Sequence, residues 1–186
     1  MPEKQPESSP EKTLKSKIVF KGEAIDLRVD TIITADGRRT TREIVEHPGA
    51  IVVVPLDAEG NVLLVKQWRT APHKYLLEIP AGGIEKGEDV EATVIREMQE
   101  EIGYKPQKLV RLGGFYSTPG FSTEYLYLYL ATDLVPSRLE AEDTAGIEII
   151  RVPLSKIPRM ILDREIEDAK SIAGLLHALE YLKKKS

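Results

Sequence analysis

Residues 88–102 constrain the fold most, because they carry the clearest periodicity in the chain. Val94, Met98 and Ile102 recur every four residues, which places them on one stripe of an α-helix. Gly103 follows directly, and glycine is favoured just beyond the end of a helix. The spacing therefore predicts a helix whose apolar stripe packs on a core that the rest of the chain must supply.

Strand-like segments lie on both sides of this helix. They are AIVVVPLD, VLLVKQW, LLEIP, LVRLGGFY, EYLYLYLATDL and IEIIRVPL. The intervening turn EGN predicts that the first two pair as a hairpin. Residues 155–162 and 169–184 read as helices. Strands interleaved with helices predict an α+β fold with a mixed sheet between helices.

The amino-terminal part differs in composition from the rest. Residues 1–13 are rich in Pro, Glu, Ser and Lys, which predicts a disordered tail. Residues 14–47 contain further strand patterns, and Asp36-Gly37 indicates a tight hairpin turn. Large apolar residues are few there, so we expect a small antiparallel β-sheet appendage. It should pack on the main domain, residues 48–186, or on a second copy of the chain.

Composition excludes several classes of protein. The chain of 186 residues is 41% hydrophobic and 30% charged, as in ordinary globular proteins. The formal net charge is −4 without a dense basic stripe, so we expect no nucleic-acid partner. No apolar run approaches the roughly 20 residues that span a bilayer, so we expect no membrane partner. Cysteine is absent, which excludes thiolate metal sites and suits the cytoplasmic location that we expect.

Three carboxylates crowd one face of the predicted helix. Glu97 and Glu101 lie about 40° apart, and Glu100 lies about 60° to the other side of Glu97. Glu101 also borders the apolar stripe, so its charge should be partly shielded from water and costly without compensation. Oxygen ligands favour a hard cation such as Mg²⁺ or Mn²⁺. Taken alone, these glutamates would also fit a solvated helix face whose charge Arg96 balances. The flanking residues decide between that interpretation and a metal site.

The flanks of these glutamates resemble the Nudix box of the Nudix hydrolase family. That pattern fixes a Gly, a Glu, Arg-Glu, an apolar residue, Glu-Glu and a Gly, matched here by Gly82, Glu88, Arg96, Glu97, Met98, Glu100, Glu101 and Gly103. Met98 and Tyr104 stand where aliphatic residues are more usual, in positions that should serve packing. The resemblance implies a Nudix-type α/β/α sandwich and a magnesium-dependent hydrolase of nucleoside diphosphate derivatives.

The resemblance also implies roles for individual residues. Four positions would bind the metal: Glu97 and Glu101 as ligands, Glu100 as an additional or water-mediated ligand, and the backbone carbonyl of Ala81. Glu88 and Arg96 should pair and orient the loop against the helix. Divalent ions held in this way would neutralise a pyrophosphate and lower the pKa of a bound water.

The general base is implied to be an acidic residue in the loop RLEAEDTAG, before the strand IEIIRVPL. We predict Glu142, with Asp143 and Glu140 as alternatives, and Glu100 of the helix as a further alternative. A base must reach the attacking water by a hydrogen bond. The sequence leaves that choice open.

Motifs outside the box resemble the ADP-ribose pyrophosphatase group of the family. They are EIPAG, REIVEHPGA, VKQWR, YSTPGFSTE and DAKSIAGLL. The resemblance implies cleavage of ADP-ribose to AMP and ribose 5-phosphate by a homodimer that exchanges its amino-terminal strands. Substrate contacts are implied for Arg69 on the phosphates, for Ser117 and Pro119, and for Arg42 and Glu46 near the partner's adenine pocket, while Glu85 is implied to bind the substrate or the metal. Other nucleoside diphosphate sugars such as GDP-mannose are the alternative substrates.

Other functions have less support. A non-catalytic nucleotide sensor would be expected to lose metal-binding glutamates, yet all of them are present. A housecleaning enzyme for nucleoside triphosphates lacks support around Pro119, and a messenger-RNA decapping enzyme would need a basic surface. His47, His73 and His177 are widely separated without paired ligand spacing, so we expect structural or solvent-facing roles for them.

Overall fold

The computed structural model describes residues 9–141 and 146–185. Two compact units are present, Met1–His47 with Thr118–Glu124, and Pro48–Ser117 with Tyr125–Ser186. The division after residue 47 falls where the composition changes. The assignment of Thr118–Glu124 to the amino-terminal unit is not evident from the sequence.

The amino-terminal unit is built on a three-stranded antiparallel sheet. Its strands, in spatial order, are β1 (Lys12–Lys21), β2 (Asp26–Ile33) and β3 (Arg39–Glu46). β1 begins at Lys12, so residues 12 and 13 belong to a strand and not to the tail predicted from composition. The predicted turn between β2 and β3 is confirmed, with Gly37 at φ 81° and its N–H donating to the Thr34 carbonyl at 2.9 Å.

The second unit contains seven strands and three α-helices among its described residues, with a 3₁₀ helix at Leu154–Lys156. They are β4 (Ala50–Pro55), β5 (Asn61–Arg69), β6 (Lys74–Glu78), β7 (Ala81–Gly83), α1 (Val90–Glu101), β8 (Tyr104–Tyr116), β9 (Tyr125–Pro136), β10 (Glu148–Pro153), α2 (Ile157–Leu162) and α3 (Ala169–Lys183). One sheet has the order β7-β4-β9-β8, and the other has the order β10-β5-β6. β4 and β9 run parallel while the remaining pairs are antiparallel, which confirms the mixed sheet.

The predicted hairpin between β4 and β5 is wrong. β4 pairs with β7 and β9, whereas β5 pairs with β6 and β10, and an isolated bridge joins Leu56 to Val62. Every residue of β4 is buried, and so are residues 62–65 of β5. A strand that is buried on both faces shows no alternation of apolar and polar residues in its sequence. Without that alternation, the strand with which it pairs could not be inferred. The turn after β4 therefore leads into a different sheet.

Alternate residues of β4 pack on opposite sides of its sheet. Ile51 and Val53 belong to a cluster with the apolar stripe of α1. Val52 and Val54 belong to a second cluster that includes Leu175 of α3. The sheet is thus covered by a helix on each face, which confirms the α+β class and the α/β/α layering. No helix in the described part of the chain is long and apolar enough to cross a membrane.

The connection between β8 and β9 takes part in the amino-terminal unit. The Val45 N–H donates to the Phe121 carbonyl at 2.8 Å, and the Thr123 N–H donates to the Val45 carbonyl at 3.0 Å. These bonds extend β3 by a short parallel bridge. The motif around Pro119 is therefore tied to the sheet that carries the REIVEHPGA motif.

Candidate active site

A polar cavity of about 700 Å³ lies in the second unit, within the size range of small-molecule sites. It is formed by the end of β5, by β7 and by one face of α1. Its lining contains the predicted residues Arg69, Ala81, Gly82, Glu85, Arg96, Glu97, Glu100 and Glu101. The structure thus brings most of the predicted metal and phosphate ligands into one cavity.

α1 places its carboxylates there through local contacts. Asp89 caps the helix, accepting from the N–H groups of Glu91 at 2.9 Å and Ala92 at 3.1 Å. Gly103, with φ 73°, follows the last turn as predicted. The buried stripe of Val94, Met98 and Ile102 fixes the rotation of the helix on the sheet. The adjacent face consequently turns the glutamates toward β7.

Glu101 is the most buried of these carboxylates, with 8% of the residue exposed. One side-chain oxygen accepts a hydrogen bond from the Ala81 N–H at 3.1 Å. Burial raises the pKa of Glu101 to about 8, and the charge of Glu97 adds to the effect. The expected shielding of this residue is confirmed. When Glu101 is ionised, its buried negative charge requires a nearby cation.

Glu97 lies directly against β7. A Cβ added to Gly82 would come within 1.9 Å of the Glu97 carboxyl carbon, so glycine is required for this close approach. Burial also raises the pKa of Glu97, in opposition to the favourable charge of Arg96. Gly82 therefore leaves space for the Glu97 carboxylate between β7 and α1, and this space is the Gly82 cradle.

Arg96 binds three carboxylates at once. Its Nε and Nη2 donate to the two oxygens of Glu88 at 2.9 and 3.0 Å, and its Nη1 lies 2.8 Å from Glu97 and 3.2 Å from Glu100. The hydrogen bond from Arg96 lowers the pKa of Glu88 to about 2. Glu88 and Arg96 thus pair as the resemblance implied, and join the loop before α1 to the helix.

The donor set fits a divalent cation in its chemistry, although it is not assembled into a closed cage. Among residues 9–141 and 146–185, no three acidic or histidine side chains converge closely enough to enclose an ion. Glu97 and Glu100 point at Arg96 instead. Buried carboxylates whose charge is costly are suitable ligands for a hard cation, and Mg²⁺ usually retains several waters beside one or two carboxylates. The Gly82 cradle and the buried Glu101 are consistent with such a site.

Arg69 reaches the cavity from β5, but its guanidinium is also anchored. Nε and Nη2 donate to the two oxygens of Glu78 at 2.8 and 2.7 Å. Glu78 is 1% exposed. Burial acts to raise the pKa of Glu78, but the hydrogen bond from Arg69 and the charge of Lys170 bring it below the ordinary value. Arg69 is therefore held by a buried carboxylate at the cavity wall.

The predicted general base lies outside the described residues. Glu142 and Asp143 both fall in the gap between residues 141 and 146, while Glu140 is exposed immediately before it. Ala141 and Ile147 line the cavity on the two sides of this gap. Glu100, the alternative base, lines the same cavity.

The other predicted substrate residues occupy the amino-terminal unit, apart from Glu85 and Ser117. Arg42 and Pro119 line a second cavity of about 320 Å³, which also contains Arg28 and Ile44. Arg42 forms an ion pair with Glu11 at 2.5 Å, and Glu46 pairs with Arg28 at 3.0 Å. Residues from the REIVEHPGA and YSTPGFSTE motifs therefore meet in one place. Ser117 follows β8, at the end of the second unit's first segment.

Sequence reasoning gave no role to Glu78 or Lys170. Both lie in motifs that resemble the ADP-ribose pyrophosphatase group, EIPAG and DAKSIAGLL. The available signal was an acidic residue at the end of an apolar strand, since a buried carboxylate requires a cationic partner. Trp68 and Gln67 also line the active-site cavity without having been predicted to do so.

An α/β/α fold that collects buried carboxylates and an anchored arginine in one cavity is suited to the hydrolysis of phosphoanhydrides with divalent metal ions. This chain belongs to the Nudix hydrolase family, since the NUDIX domain matches residues 45–175. The family identifies the enzyme as one that acts on small molecules of the nucleoside diphosphate type and generally requires divalent metal ions.

Similarity to known proteins extends over nearly the whole chain. The ADP-ribose pyrophosphatase of Bacillus subtilis (strain 168) is 37% identical over 177 residues, which cover 94% of each protein. The methanol dehydrogenase activator of Bacillus methanolicus is 35% identical over 174 residues, covering 92% of each. A crystal structure of an ADP compounds hydrolase superposes with a TM-score of 0.87 at 21% identity, covering 98% of this chain and 99% of the other, so it supports the fold.

Proposed function

We propose that this enzyme hydrolyses the pyrophosphate bond of ADP-ribose, giving AMP and ribose 5-phosphate. The observation that carries the proposal is the single cavity in which the box glutamates face Arg69. Carboxylates that hold cations beside a guanidinium match the charge of a diphosphate. Similarity to an ADP-ribose pyrophosphatase over 94% of both chains supports the choice of substrate.

We propose Mg²⁺ as the metal, with Mn²⁺ as a possible substitute. Four positions would hold it: the carbonyl of Ala81 and the side chains of Glu97, Glu100 and Glu101. When bound, the ion neutralises the diphosphate and lowers the pKa of the attacking water. Glu88 contributes indirectly, because it holds Arg96 against the loop. In the proposed reaction the attacking water would lose one proton to the general base and bond to one phosphorus atom, while that phosphorus releases the bridging oxygen, which leaves with the other phosphate.

Substrate binding is assigned as follows. Arg69 contacts the phosphates, and Glu85 and Ser117 bind the substrate from the same unit. Arg42, Glu46 and Pro119 contribute from the amino-terminal unit, and Arg42 and Glu46 reach the adenine pocket of a partner subunit. The second cavity, where Arg42 and Pro119 meet, supports this grouping.

Glu142 is our proposed general base, since Ala141 and Ile147 line the cavity on either side of its loop. Glu142→Gln should lower kcat by about 100-fold, the usual scale of general base catalysis, with unchanged metal dependence. Asp143→Asn is the matched control. If Asp143→Asn alone lowers kcat, the base is Asp143, and if neither variant does, the role falls to Glu140 or Glu100.

We further propose that the enzyme is a cytoplasmic homodimer whose amino-terminal strands exchange between subunits. β1 is exposed along its whole length, and Leu14, Ile18, Val19 and Phe20 are 47–58% exposed. It also forms an outer strand of its sheet. β1 is thus a long edge strand that exposes four large apolar side chains beside four lysines, and an exposed edge with such side chains can pair with another chain, which supports a second copy as its cover.

A substrate panel tests the proposed activity. Purified enzyme is given ADP-ribose, GDP-mannose and other nucleoside diphosphate sugars with Mg²⁺, with Mn²⁺ and with chelator, and released mononucleotide is measured. We expect ADP-ribose to have the highest kcat/KM and chelator to abolish turnover. Faster turnover of GDP-mannose would overturn the proposed specificity, and binding of ADP-ribose without product in Mg²⁺ would indicate a sensor.

A further inference from the structure

The first turn of α3 contacts the end of β6, which directly precedes strand β7 of the active-site cavity. Lys170 Nζ binds Oε2 of Glu78, the carboxylate that anchors Arg69. Ser171 Oγ accepts a hydrogen bond from the Ile79 N–H at 2.8 Å. Adjacent residues of one helix thus hold adjacent residues at the end of β6. The contacts join segments 92 residues apart in the sequence.

These α3 residues are themselves held in place. Asp168 caps the helix, and its Oδ2 accepts from the Ser171 N–H at 2.9 Å and from Ser171 Oγ at 2.5 Å. Lys170 Nζ lies 3.0 Å from the same oxygen. Ser171 is fully buried and the Lys170 side chain is 16% exposed. Lys170 is therefore fixed between two carboxylates.

A glycine allows α3 to approach this closely. A Cβ added to Gly174 would lie 2.7 Å from Ile79 Cδ1 and 3.1 Å from Leu128 Cδ1. Any larger residue would force the helix or Ile79 to move. The helix backbone is thus packed directly on the residue that follows Glu78.

The charges of this group affect what Arg69 can offer a ligand. Glu78 has almost no contact with water, so Arg69 alone would be neutralised by it. Lys170 also binds Glu78, so Arg69 shares this carboxylate with a second cation, while Asp168 in turn balances the charge of Lys170. A guanidinium has five N–H donors, and Glu78 receives hydrogen bonds from two of its nitrogens. Arg69 consequently retains N–H donors for an anion in the cavity.

We propose that Glu78, Lys170 and Ser171 are positioning residues through which α3 sets the place of Arg69 for the substrate's diphosphate. The proposal rests on the proposed function, since it assumes that Arg69 binds the phosphates. It gives the DAKSIAGLL motif a role in substrate binding in addition to its packing in the core.

A double-mutant cycle between Lys170 and Arg69 tests this inference. Lys170→Met should raise the KM for ADP-ribose about tenfold with little change in kcat, because contacts made in the ground and transition states are lost equally. In the Arg69→Met background the same change should have an effect of less than about twofold, since coupled residues are non-additive. Lys170→Arg should restore most of the affinity. The Kd of ADP-ribose, measured by calorimetry in chelator, should follow the same pattern.

Lys183→Met is the matched control, because Lys183 lies on the same helix in an exposed pair with Glu180. It should leave KM and Kd unchanged. An equal loss from Lys170→Met in both backgrounds would overturn the proposal, since it would show that Lys170 acts independently of Arg69. If Lys170→Met does not fold by circular dichroism, Ser171→Ala replaces it in the same cycle with the same criteria.

Failure of the inference and failure of the proposed function give different results. Wild-type turnover of ADP-ribose is measured first. If another nucleoside diphosphate sugar is preferred, the proposed specificity is overturned and the cycle is measured with that substrate. Additive losses with the preferred substrate would overturn the positioning role whatever that substrate is.

Discussion

The close contact between Gly82 and Glu97 predicts that a single methyl group added at residue 82 lowers activity. Gly82→Ala would place a Cβ where the Glu97 carboxylate lies. The carboxylate is the end of a flexible side chain, so it can move and the fold should survive. A displacement of about 1 Å at a reacting centre can cost about 100-fold in rate. We therefore expect kcat to fall by at least about tenfold with little change in melting temperature.

Gly83→Ala provides the control for this change. A Cβ at Gly83 would meet no atom within 4 Å, and Gly83 is the next residue of the same strand. It should retain near-normal activity. Equal activities of the two variants would show that the position of Glu97 does not matter for turnover.

The raised pKa of Glu101 predicts how stability depends on pH in the metal-free protein. Its pKa is about 8 in the folded state and about 4.5 in the unfolded chain, so the folded state keeps a proton between these values. The stabilisation is complete below the lower pKa and is lost as the pH rises through the higher one. Glu101→Gln should remove this part of the decline, as measured by urea unfolding in chelator from pH 4 to pH 9.

Glu91→Gln is the control, because Glu91 is an exposed glutamate on the same helix. Its pH profile should match that of the wild type. If Glu101→Gln left the profile unchanged, burial of Glu101 would not control its protonation. Glu101→Gln should also abolish most turnover in Mg²⁺, because it removes the charge of a proposed ligand.

The box glutamates could be predicted from the sequence because their arrangement is local to one helix. Their spacing sets the angles between them, and the apolar stripe indicates which of them is buried. The contact between Lys170 and Glu78 could not be predicted in this way, because it joins residues 92 positions apart. Such a contact depends on how α3 packs on the sheet. Glu78 at the end of an apolar strand indicates only that it needs a cationic partner, and Lys170 alone reads as a surface charge.

At the scale of elements, α1 depends on its amino-terminal cap. Asp89→Ala would remove the oxygen that accepts from the Glu91 and Ala92 N–H groups. Loss of such a cap typically costs about 1 kcal/mol of folding free energy. Asp89→Asn keeps an acceptor and is the control. We expect chemical denaturation to show a loss for alanine and near-wild-type stability for asparagine, and equal losses would mean that the charge of Asp89 stabilises the helix.

The predicted elements agree with the structure where periodicity is strong and disagree where burial removes it. The helix predicted over residues 88–102 is present as Val90–Glu101, and the one over 169–184 as Ala169–Lys183. Both helices have one apolar and one polar face, so the spacing of their apolar residues indicates which face is buried. β4 and the apolar part of β5 are buried on both faces, and their sequences therefore could not indicate that they belong to different sheets.

At the scale of the whole molecule, the exposed face of β1 predicts the oligomeric state. Ile18→Glu places a charge in the middle of this strand, where apolar contact with a second copy is proposed. We expect sedimentation to show a dimer for the wild type and a shift toward monomer for this variant. Leu162→Glu is the control, because Leu162 is 75% exposed on α2. A wild-type monomer, or equal sedimentation of wild type and Ile18→Glu, would contradict the assignment of β1 to the interface.

The placement of Thr118–Glu124 means that the polypeptide passes between the two units three times, after residues 47, 117 and 124. A protein assembled from separable modules would need only one such passage. A protease cut after residue 47 would leave the amino-terminal fragment attached, because Val45 keeps its backbone bonds to Phe121 and Thr123. Deleting that fragment would in turn leave the β8–β9 connection without the strand it pairs with. The amino-terminal sheet therefore cannot be removed independently, and a truncation that deletes it would disrupt the part of the enzyme that remains.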